Sequence, residues 1–247
     1  MSDIFHSSKY VIERAKHHIT DFERQVKEFI EINPYSVIAE IDPDTSYEVH
    51  KIKLVKPMPV HLPGIAFDTV NNLRSALDQA VFALNFGKGG RFAAFPFASD
   101  ATHFESAVKG RCKNLPKEIV DLIRTFQPYK GGNDLLWALN EVCNTDKHAI
   151  ICPVAFASTS ISINGTIGSG FLMPARAWDR AKNEMELFRQ HQGGVTDADF
   201  KITYFIAMQD VEFIHGKPAN TVLRAFMRVV EGIVLALEAE ARRLKLI

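Results

Sequence analysis

Several side chains that could carry chemistry lie at the end of a predicted amphipathic helix, which runs from Asp134 to about His148. One stripe of this helix is polar, because its members follow one another at steps of four, three and four residues: Trp137, Glu141, Asn144 and His148. The opposite face is apolar and belongs in a core. An imidazole beside donors and acceptors can transfer protons near neutral pH. The sequence therefore predicts a functional site in the last turn of this helix, where Asp146 and Lys147 also lie.

A second polar stripe lies on the helix predicted over residues 64–85. Its members stand three and four residues apart, beside an apolar stripe: Asn71, Arg74 and Asp78. If the two helices pack together, their polar edges face each other across a cleft between residues 64–85 and 134–148. Arg74 would then anchor an anionic group or orient Asp146, while His148 exchanges the proton.

We assign the side chains of this cleft to two roles. The catalytic assignments are His148, Asp146 and Arg74, and the ligand-binding assignments are Asp78, Asn144, Lys147, Glu141 and Asn71. The leading interpretation is a protein that binds a ligand or partner in the cleft. The first alternative is a metal-independent nuclease or other phosphoryl-transfer enzyme, in which Arg74 or Lys147 stabilises phosphate charge. The second is a structural module, in which Arg74 pairs with Asp78 and His148 stabilises the helix C-terminus.

Recognisable metal and cofactor motifs are absent from the sequence. Its three cysteines, Cys112, Cys143 and Cys152, are odd in number and match no zinc-ligand spacing, which predicts reduced thiols. There is no HExxH, no paired CxxC, no glycine-rich phosphate-binding loop and no GxSxG. The sequence therefore predicts neither a metal nor a cofactor.

Charge balance and hydropathy limit the expected partners. Among 247 residues, 29 are Lys or Arg and 29 are Asp or Glu, so no overall basic charge attracts nucleic acid. No secretory signal pattern opens the chain, and no stretch reaches the roughly 18 apolar residues of a membrane span. We expect a cytoplasmic protein that binds no membrane. Its expected partners are a small molecule or RNA, and a second copy of the chain in a homodimer formed by long terminal helices.

The elements that must position these side chains predict an α+β fold. It would consist of a helical bundle with long N- and C-terminal helices packed against an antiparallel β-sheet. The N-terminal helix is predicted from helical periodicity over residues 3–32. A single domain would cover residues 1–247, with these parts: hairpin 35–55, helical part 64–148, β-rich part 150–210 and C-terminal helix 218–246. Strands of the β-rich part are predicted at 151–157, 159–163 and 200–208.

Local signals set expectations for the element boundaries. The proline-rich stretch 56–63 is expected to be extended chain. Thr102 begins a segment with capping-box spacing, and Asn114 could cap the helix predicted over 115–126. Residues 175–191 fit either one helix or a helix followed by a strand.

Five motifs occur in an order that resembles a group of uncharacterised bacterial and phage-associated proteins: Leu73-Arg-Ser-Ala-Leu-Asp78, Phe95-Pro-Phe97, Phe126-Gln-Pro-Tyr129, Leu136-Trp-Ala-Leu139 and Asn144-Thr-Asp-Lys-His148. This resemblance covers roughly residues 70–150 and implies no settled activity. A more distant resemblance is to the HEPN helical domains, many of which are metal-independent ribonucleases with an Arg-x4-6-His motif on a late helix. Here His148 falls at a similar place, and no arginine precedes it at that spacing. The resemblance implies RNA cleavage as the alternative function.

Overall fold

The computed structural model describes residues 3–85, 93–144, 150–157, 178–179, 181–193 and 202–247. Its helices are α1 His6–Glu31, α2 Leu62–Ala83, α3 Ala101–Arg111, α4 Lys117–Thr125, α5 Asp134–Asn144 and α6 Ala219–Arg243. Its strands are β1 Tyr35–Ile41, β2 Tyr47–Leu54, β3 Ile151–Ala157, β4 Trp178–Asp179, β5 Glu184–His191 and β6 Ile202–Met208. The predicted α+β class is therefore confirmed. The strand predicted at 159–163 lies outside the described residues.

The chain divides into two compact units, and each is assembled from segments that are far apart in the sequence. Unit 1 comprises residues 1–24, 60–151 and 208–247, and unit 2 comprises residues 25–59 and 152–207. The predicted hairpin therefore shares a unit with most of the β-rich part. That residues 1–247 form one domain stays a prediction.

Helix α2 is central to the packing of unit 1, because it contacts both α5 and α6. Its buried side chains recur at helical spacing along one face: Ala66, Val70, Leu73, Leu77 and Val81. Burying a side chain of the size of Val or Leu stabilises the fold by roughly 1.5–3 kcal/mol. This apolar face fixes how α2 is rotated about its axis, and with it the direction of the neighbouring polar stripe.

Helices α1 and α6 pair in opposite directions within unit 1, as a series of ion pairs shows. The pairs and their N···O distances are Lys9–Glu238 at 2.7 Å, Lys16–Glu231 at 2.7 Å and Arg224–Glu23 at 2.5 Å. Each step is seven residues on both helices, ascending on α1 and descending on α6. A seven-residue interval returns to the same side of a helix after about two turns. The two helices therefore run alongside each other for at least four turns.

Unit 2 contains an antiparallel sheet whose strands lie in the order β1-β2-β5-β4. One face of this sheet carries a cluster of buried side chains: Tyr35, Ile52, Met185, Leu187 and Phe188. Ile30, in the last turn of α1, packs against this cluster. The strands β3 and β6 form a separate two-stranded sheet.

A β-bulge explains why the segment 175–191 was difficult to interpret from sequence. Of the two alternatives for this segment, the strand at its end is confirmed as β5, while a helix is wrong for the described residues before it, which form β4 and a turn. His50 of β2 pairs with Phe188 of β5, and the next residue, Lys51, pairs with Glu186. Leu187 of β5 is therefore an extra residue without an opposite partner. The extra residue interrupts the alternation of buried and exposed positions, and the resulting pattern resembles helical periodicity.

Three boundary predictions are also wrong, each for a local reason. Helix α3 is capped by Asp100, whose Oδ1 accepts the backbone N–H of His103 at 3.0 Å, so Thr102 lies inside the helix. Helix α4 has Pro116 at its N-cap without a side-chain cap, so Asn114 does not cap it. Helix α2 begins at Leu62 because proline is tolerated in a first helical turn, and the extended stretch therefore ends earlier than predicted.

Membrane insertion receives no support from the described helices. None of them combines the length and the apolar composition that a span requires. The three cysteines are free thiols, with Cys112 buried and the other two half-buried.

The pairing of α1 with α6 predicts a pH-dependent contribution from Glu238, which is only 7% exposed. Hydrogen bonds from Lys9 and then Arg242 lower the pKa of Glu238. Its contribution is therefore complete above about pH 5 and is lost as the pH falls through the lowered pKa. We expect Glu238→Gln to lower the free energy of unfolding at pH 7 by about 1–2 kcal/mol. The difference from wild type should shrink as the pH falls through the lowered pKa, as measured by urea unfolding.

Glu240→Gln is the matched control on the same helix. Within the described ranges, Glu240 pairs only with Arg243, three residues away, so its loss should change stability less than the loss of Glu238. Equal losses in the two variants, or a Glu238→Gln difference that does not shrink in acid, would contradict the assignment.

Candidate functional site

The polar edges of α2 and α5 meet, as the sequence predicts for packed helices. The contact is a hydrogen bond from Nε of Arg74 to Oδ1 of Asn140, with a length of 3.0 Å. Arg74 follows Leu73 and Asn140 follows Leu139, and both leucines are fully buried. Both polar side chains therefore lie at the edge of the hydrophobic core.

Arg74 is held by two further groups besides Asn140. Its Nη1 donates to Oδ2 of Asp78, one helical turn further along α2. Its guanidinium carbon lies 4.5 Å from the centre of the Phe97 ring, a distance that allows a cation–π interaction. The Arg74 side chain is nevertheless 21% exposed. The result is a guanidinium of fixed orientation that still reaches solvent.

Asp78 connects α2 to the aromatic segment that precedes α3. Its Oδ2 receives Arg74, and its Oδ1 accepts the backbone N–H of Phe95 at 2.9 Å. The carbonyl oxygen of Phe95 accepts Nη1 of Arg111 at 3.1 Å. One peptide segment is thus bound through Asp78 on one side and by a second guanidinium on the other.

Only some of the other predicted site residues lie in the described part of the chain. Glu141 accepts Nδ2 of Asn140 at 3.3 Å, and Asn144 is exposed at the last residue of α5. Asn71 is half-buried on α2. Three predicted residues lie outside the described part of the chain: Asp146, Lys147 and His148. The described part of the candidate site is therefore centred on Arg74 rather than on the histidine.

Sequence reasoning missed two residues of this centre, Asn140 and Arg111. Asn140 had a usable signal, because it stands three residues after Trp137 and four before Asn144, at helical spacing. Arg111 had none, because it reaches Phe95 only through the tertiary packing of α3.

Cys143 lies beside the centre but offers no nucleophile. Burial raises the pKa of the Cys143 thiol to about 12, the charge of Arg74 opposes this rise, and the charge of Asp78 reinforces it. A thiol with such a pKa is almost wholly protonated at neutral pH, and the thiolate is the reactive form. The cysteine therefore belongs to the packing of α5 rather than to a reaction.

The arrangement is suited to hydrogen bonding with acceptor oxygens. Arginine presents its donors in a planar fork that fits carboxylate and phosphate groups. Among the described residues, no cluster of three His, Cys, Asp or Glu side chains could hold a metal ion. The described side chains supply oriented donors beside the buried Phe97 ring and the half-buried Asn140 amide.

No protein-family model, no curated protein and no solved structure matches the chain. The resemblances to the phage-associated group and to the HEPN helical domains stay predictions.

The contact between α2 and α5 can be tested by a double-mutant cycle on Arg74 and Asn140. Arg74→Ala leaves the Asp78 carboxylate without its cation, so we expect the free energy of unfolding to fall by about 2–3 kcal/mol. Asn140→Ala should cost about 1 kcal/mol. The double variant should lose less than the sum, with a coupling energy of about 0.5–1.5 kcal/mol in chemical denaturation.

Arg124→Ala serves as the control for loss of an arginine. Arg124 pairs with Glu105 and Asp121 at the surface, so we expect little change in stability. Strict additivity of the Arg74 and Asn140 losses would mean that the two side chains do not interact in solution.

Proposed function

We propose that the chain is a binding protein that recognises a group rich in acceptor oxygens, such as a carboxylate or phosphate, at Arg74 between α2 and α5. The observation that carries this proposal is the state of the Arg74 guanidinium. Asp78, Asn140 and the Phe97 ring hold it in place. Within the described residues its Nη2 has no hydrogen-bond partner, and the side chain remains 21% exposed.

Preorganisation is the physical reason why such an arginine favours binding. Ordering a long side chain costs about 0.5–1.5 kcal/mol when it happens at the moment of binding. Here the fold has already ordered Arg74, so a ligand meets donors of fixed direction. With Nε bound to Asn140 and Nη1 bound to Asp78, the nitrogen that remains for a ligand is Nη2, whose two N–H donors suit acceptor oxygens.

Net charge contributes less than donor geometry. Around the centre, Arg74 and Arg111 are balanced by Asp78 and Glu141. Recognition would therefore depend on oriented hydrogen bonds more than on long-range attraction, and it should weaken only moderately with salt. Lys147 follows α5 in the sequence and would add one positive charge.

Ligand-induced stabilisation tests the proposal. We expect inorganic phosphate, adenosine monophosphate or a short RNA to raise the melting temperature in a saturable way. A ligand at a hundredfold excess over its Kd stabilises the folded state by about 2.7 kcal/mol. Arg74→Lys keeps the charge but has one nitrogen in place of three, so it cannot hold Asp78 and Asn140 and also present a separate donor to the ligand. The stabilisation should therefore largely disappear in differential scanning fluorimetry.

Arg124→Lys is the matched control, because Arg124 lies on α4 and takes no part in the centre. A stabilisation that survives Arg74→Lys, or the absence of stabilisation by all three probes, would contradict the proposal. Cleavage of the RNA that His148→Ala abolishes would extend the function to the ribonuclease alternative, with His148 as the acid or base.

A homodimer is the second part of the proposal, and an apolar groove between α1 and α6 supports it. The groove has a volume of about 170 Å³, and its apolar wall includes Ile12, Val234 and Leu235. Leu235 is 52% exposed, and Tyr10 on α1 is 59% exposed. Paired copies related by twofold symmetry would cover such side chains.

Sedimentation velocity tests the homodimer. We expect Leu235→Glu to shift the chain from dimer to monomer, because the introduced charge would be buried in the interface. Val60→Glu changes an equally apolar side chain that is 89% exposed elsewhere in unit 1, so it should leave the dimer intact. A monomeric wild-type chain would refute this part of the proposal.

A further inference from the structure

A basic corner joins α3 to α4 in unit 1. Between Glu105 and Glu118 the chain has no acidic residue, and this stretch contains four cations, which we name the basic corner: Lys109, Arg111, Lys113 and Lys117. All four side chains are exposed. Residues 101–125 as a whole carry five cations and three acids, so they keep an excess of two positive charges although the whole chain is neutral.

The three lysines of the basic corner form no ion pair within the described residues. The acids that flank the corner in the sequence have other cations beside them. Glu105 lies 3.2 Å from Nη2 of Arg124. Hydrogen bonds to Glu240 raise the pKa of Arg243, and the charge of Glu118 adds to this rise. The charge of the corner is therefore available to a partner.

Helix stability accounts for only part of the basic corner. Lys109 and Arg111 lie in the last turn of α3, where the helix dipole favours cations. Lys117 is the first residue of α4, where the dipole disfavours a cation, and no side chain caps this end of α4. Lys113 lies between the two helices and adds to the repulsion among like charges. An anionic partner would relieve this repulsion.

Arg111 connects the basic corner to the Arg74 centre. Its Nη1 donates to the Phe95 carbonyl at 3.1 Å, and the Phe95 N–H donates at 2.9 Å to Asp78, which also binds Arg74. The two guanidinium groups are separated by one carboxylate and one residue, which spans at most about 3.6 Å, so they lie within roughly 15 Å of each other. A stacked strand rises about 3.4 Å per nucleotide, so about five nucleotides cover this distance.

The surface of α3 and α4 is polar as well as basic. None of the exposed large apolar side chains of the described residues lies within residues 101–125. Binding to a lipid surface requires apolar side chains that enter the boundary between headgroups and acyl chains. The basic corner therefore suits a phosphate backbone better than it suits a membrane.

We propose that the ligand of the Arg74 centre is a polynucleotide strand, with one phosphate at Arg74 and neighbouring phosphates along the basic corner. This inference rests on the proposed function, because it takes Arg74 as one of the contacts. A polynucleotide carries a charge on every backbone unit, and lysines that neutralise these charges release condensed counterions. Contacts of this kind position a strand without reading its sequence.

Fluorescence anisotropy of a labelled ten-nucleotide oligouridine with the full chain tests the proposal. We expect the affinity to fall steeply with salt, because several phosphates are neutralised together. Unlabelled decaglutamate should compete at least about tenfold more weakly than unlabelled oligouridine, because a polynucleotide releases condensed counterions. Equal competition would make the partner an acidic protein segment and would overturn the proposal, as would no binding at low salt.

A triple variant locates the strand on the basic corner. Lys109→Gln, Lys113→Gln and Lys117→Gln together should weaken oligouridine binding at least about tenfold. They should also lower the slope of log affinity against log salt by about 2, at roughly 0.7 for each lysine. Lys113→Gln alone should lower that slope by about 0.7. All three lysines are exposed, so the fold should stay intact, which circular dichroism and the melting temperature can verify.

The matched control removes three exposed cations elsewhere in unit 1. Arg14→Gln, Arg228→Gln and Lys245→Gln change the net charge by the same amount, and the oligouridine affinity and its salt slope should change little. Equal losses in the two triple variants would mean that only the net charge matters, which would overturn the proposal.

Adenosine monophosphate separates a failure of this inference from a failure of the proposed function. It has one phosphate group, so the triple variant of the basic corner should keep its stabilisation by this ligand. Wild-type stabilisation by adenosine monophosphate, together with unchanged oligouridine affinity in the corner variant, would overturn the polynucleotide alone. Oligouridine affinity that is unchanged in Arg74→Lys would also overturn it, because the strand would then not reach Arg74.

Discussion

The burial of one face of α2 is the constraint on which unit 1 depends. Leu73 and Leu77 are fully buried on this face, so the rotation of the helix about its axis is fixed. Arg74 and Asp78 each follow one of these leucines and must therefore emerge at the same border of the core. The fixed arginine is thus a consequence of hydrophobic packing. Asp78 also accepts a hydrogen bond from the backbone N–H of Phe95, which connects the aromatic segment to α2.

Much of the fold could be predicted because its elements carry strong local patterns. The long helices α1 and α6 bury regular apolar stripes, and β1 has apolar residues at alternate positions, Tyr35, Val37, Ala39 and Ile41. The failures are positions where one competing local contact decides the outcome. Asp100 caps α3 two residues before Thr102, where the cap was predicted. The bulge at Leu187 interrupts the two-residue alternation that identifies a strand.

The candidate site was less predictable than the fold, because spacing reveals only which side chains share one element. The stripe containing Arg74 and Asp78 follows from helical geometry, and so does a contact with α5. The hydrogen bond from Arg111 to Phe95 depends on where α3 lies in the fold, which residue spacing does not reveal. In unit 2, only the strand register brings Lys51 of β2 between Glu40 of β1 and Glu184 of β5.

The antiparallel pairing of α1 with α6 has a consequence for synthesis on the ribosome. Lys16 and Glu231 are separated by 215 positions, yet they form one ion pair. At roughly 5–20 residues per second, α1 leaves the exit tunnel tens of seconds before its partner exists. During that interval the apolar stripe of α1 is exposed and can contact other nascent chains. Chaperones that shield exposed hydrophobic helices would therefore have their main opportunity to act before α6 is translated.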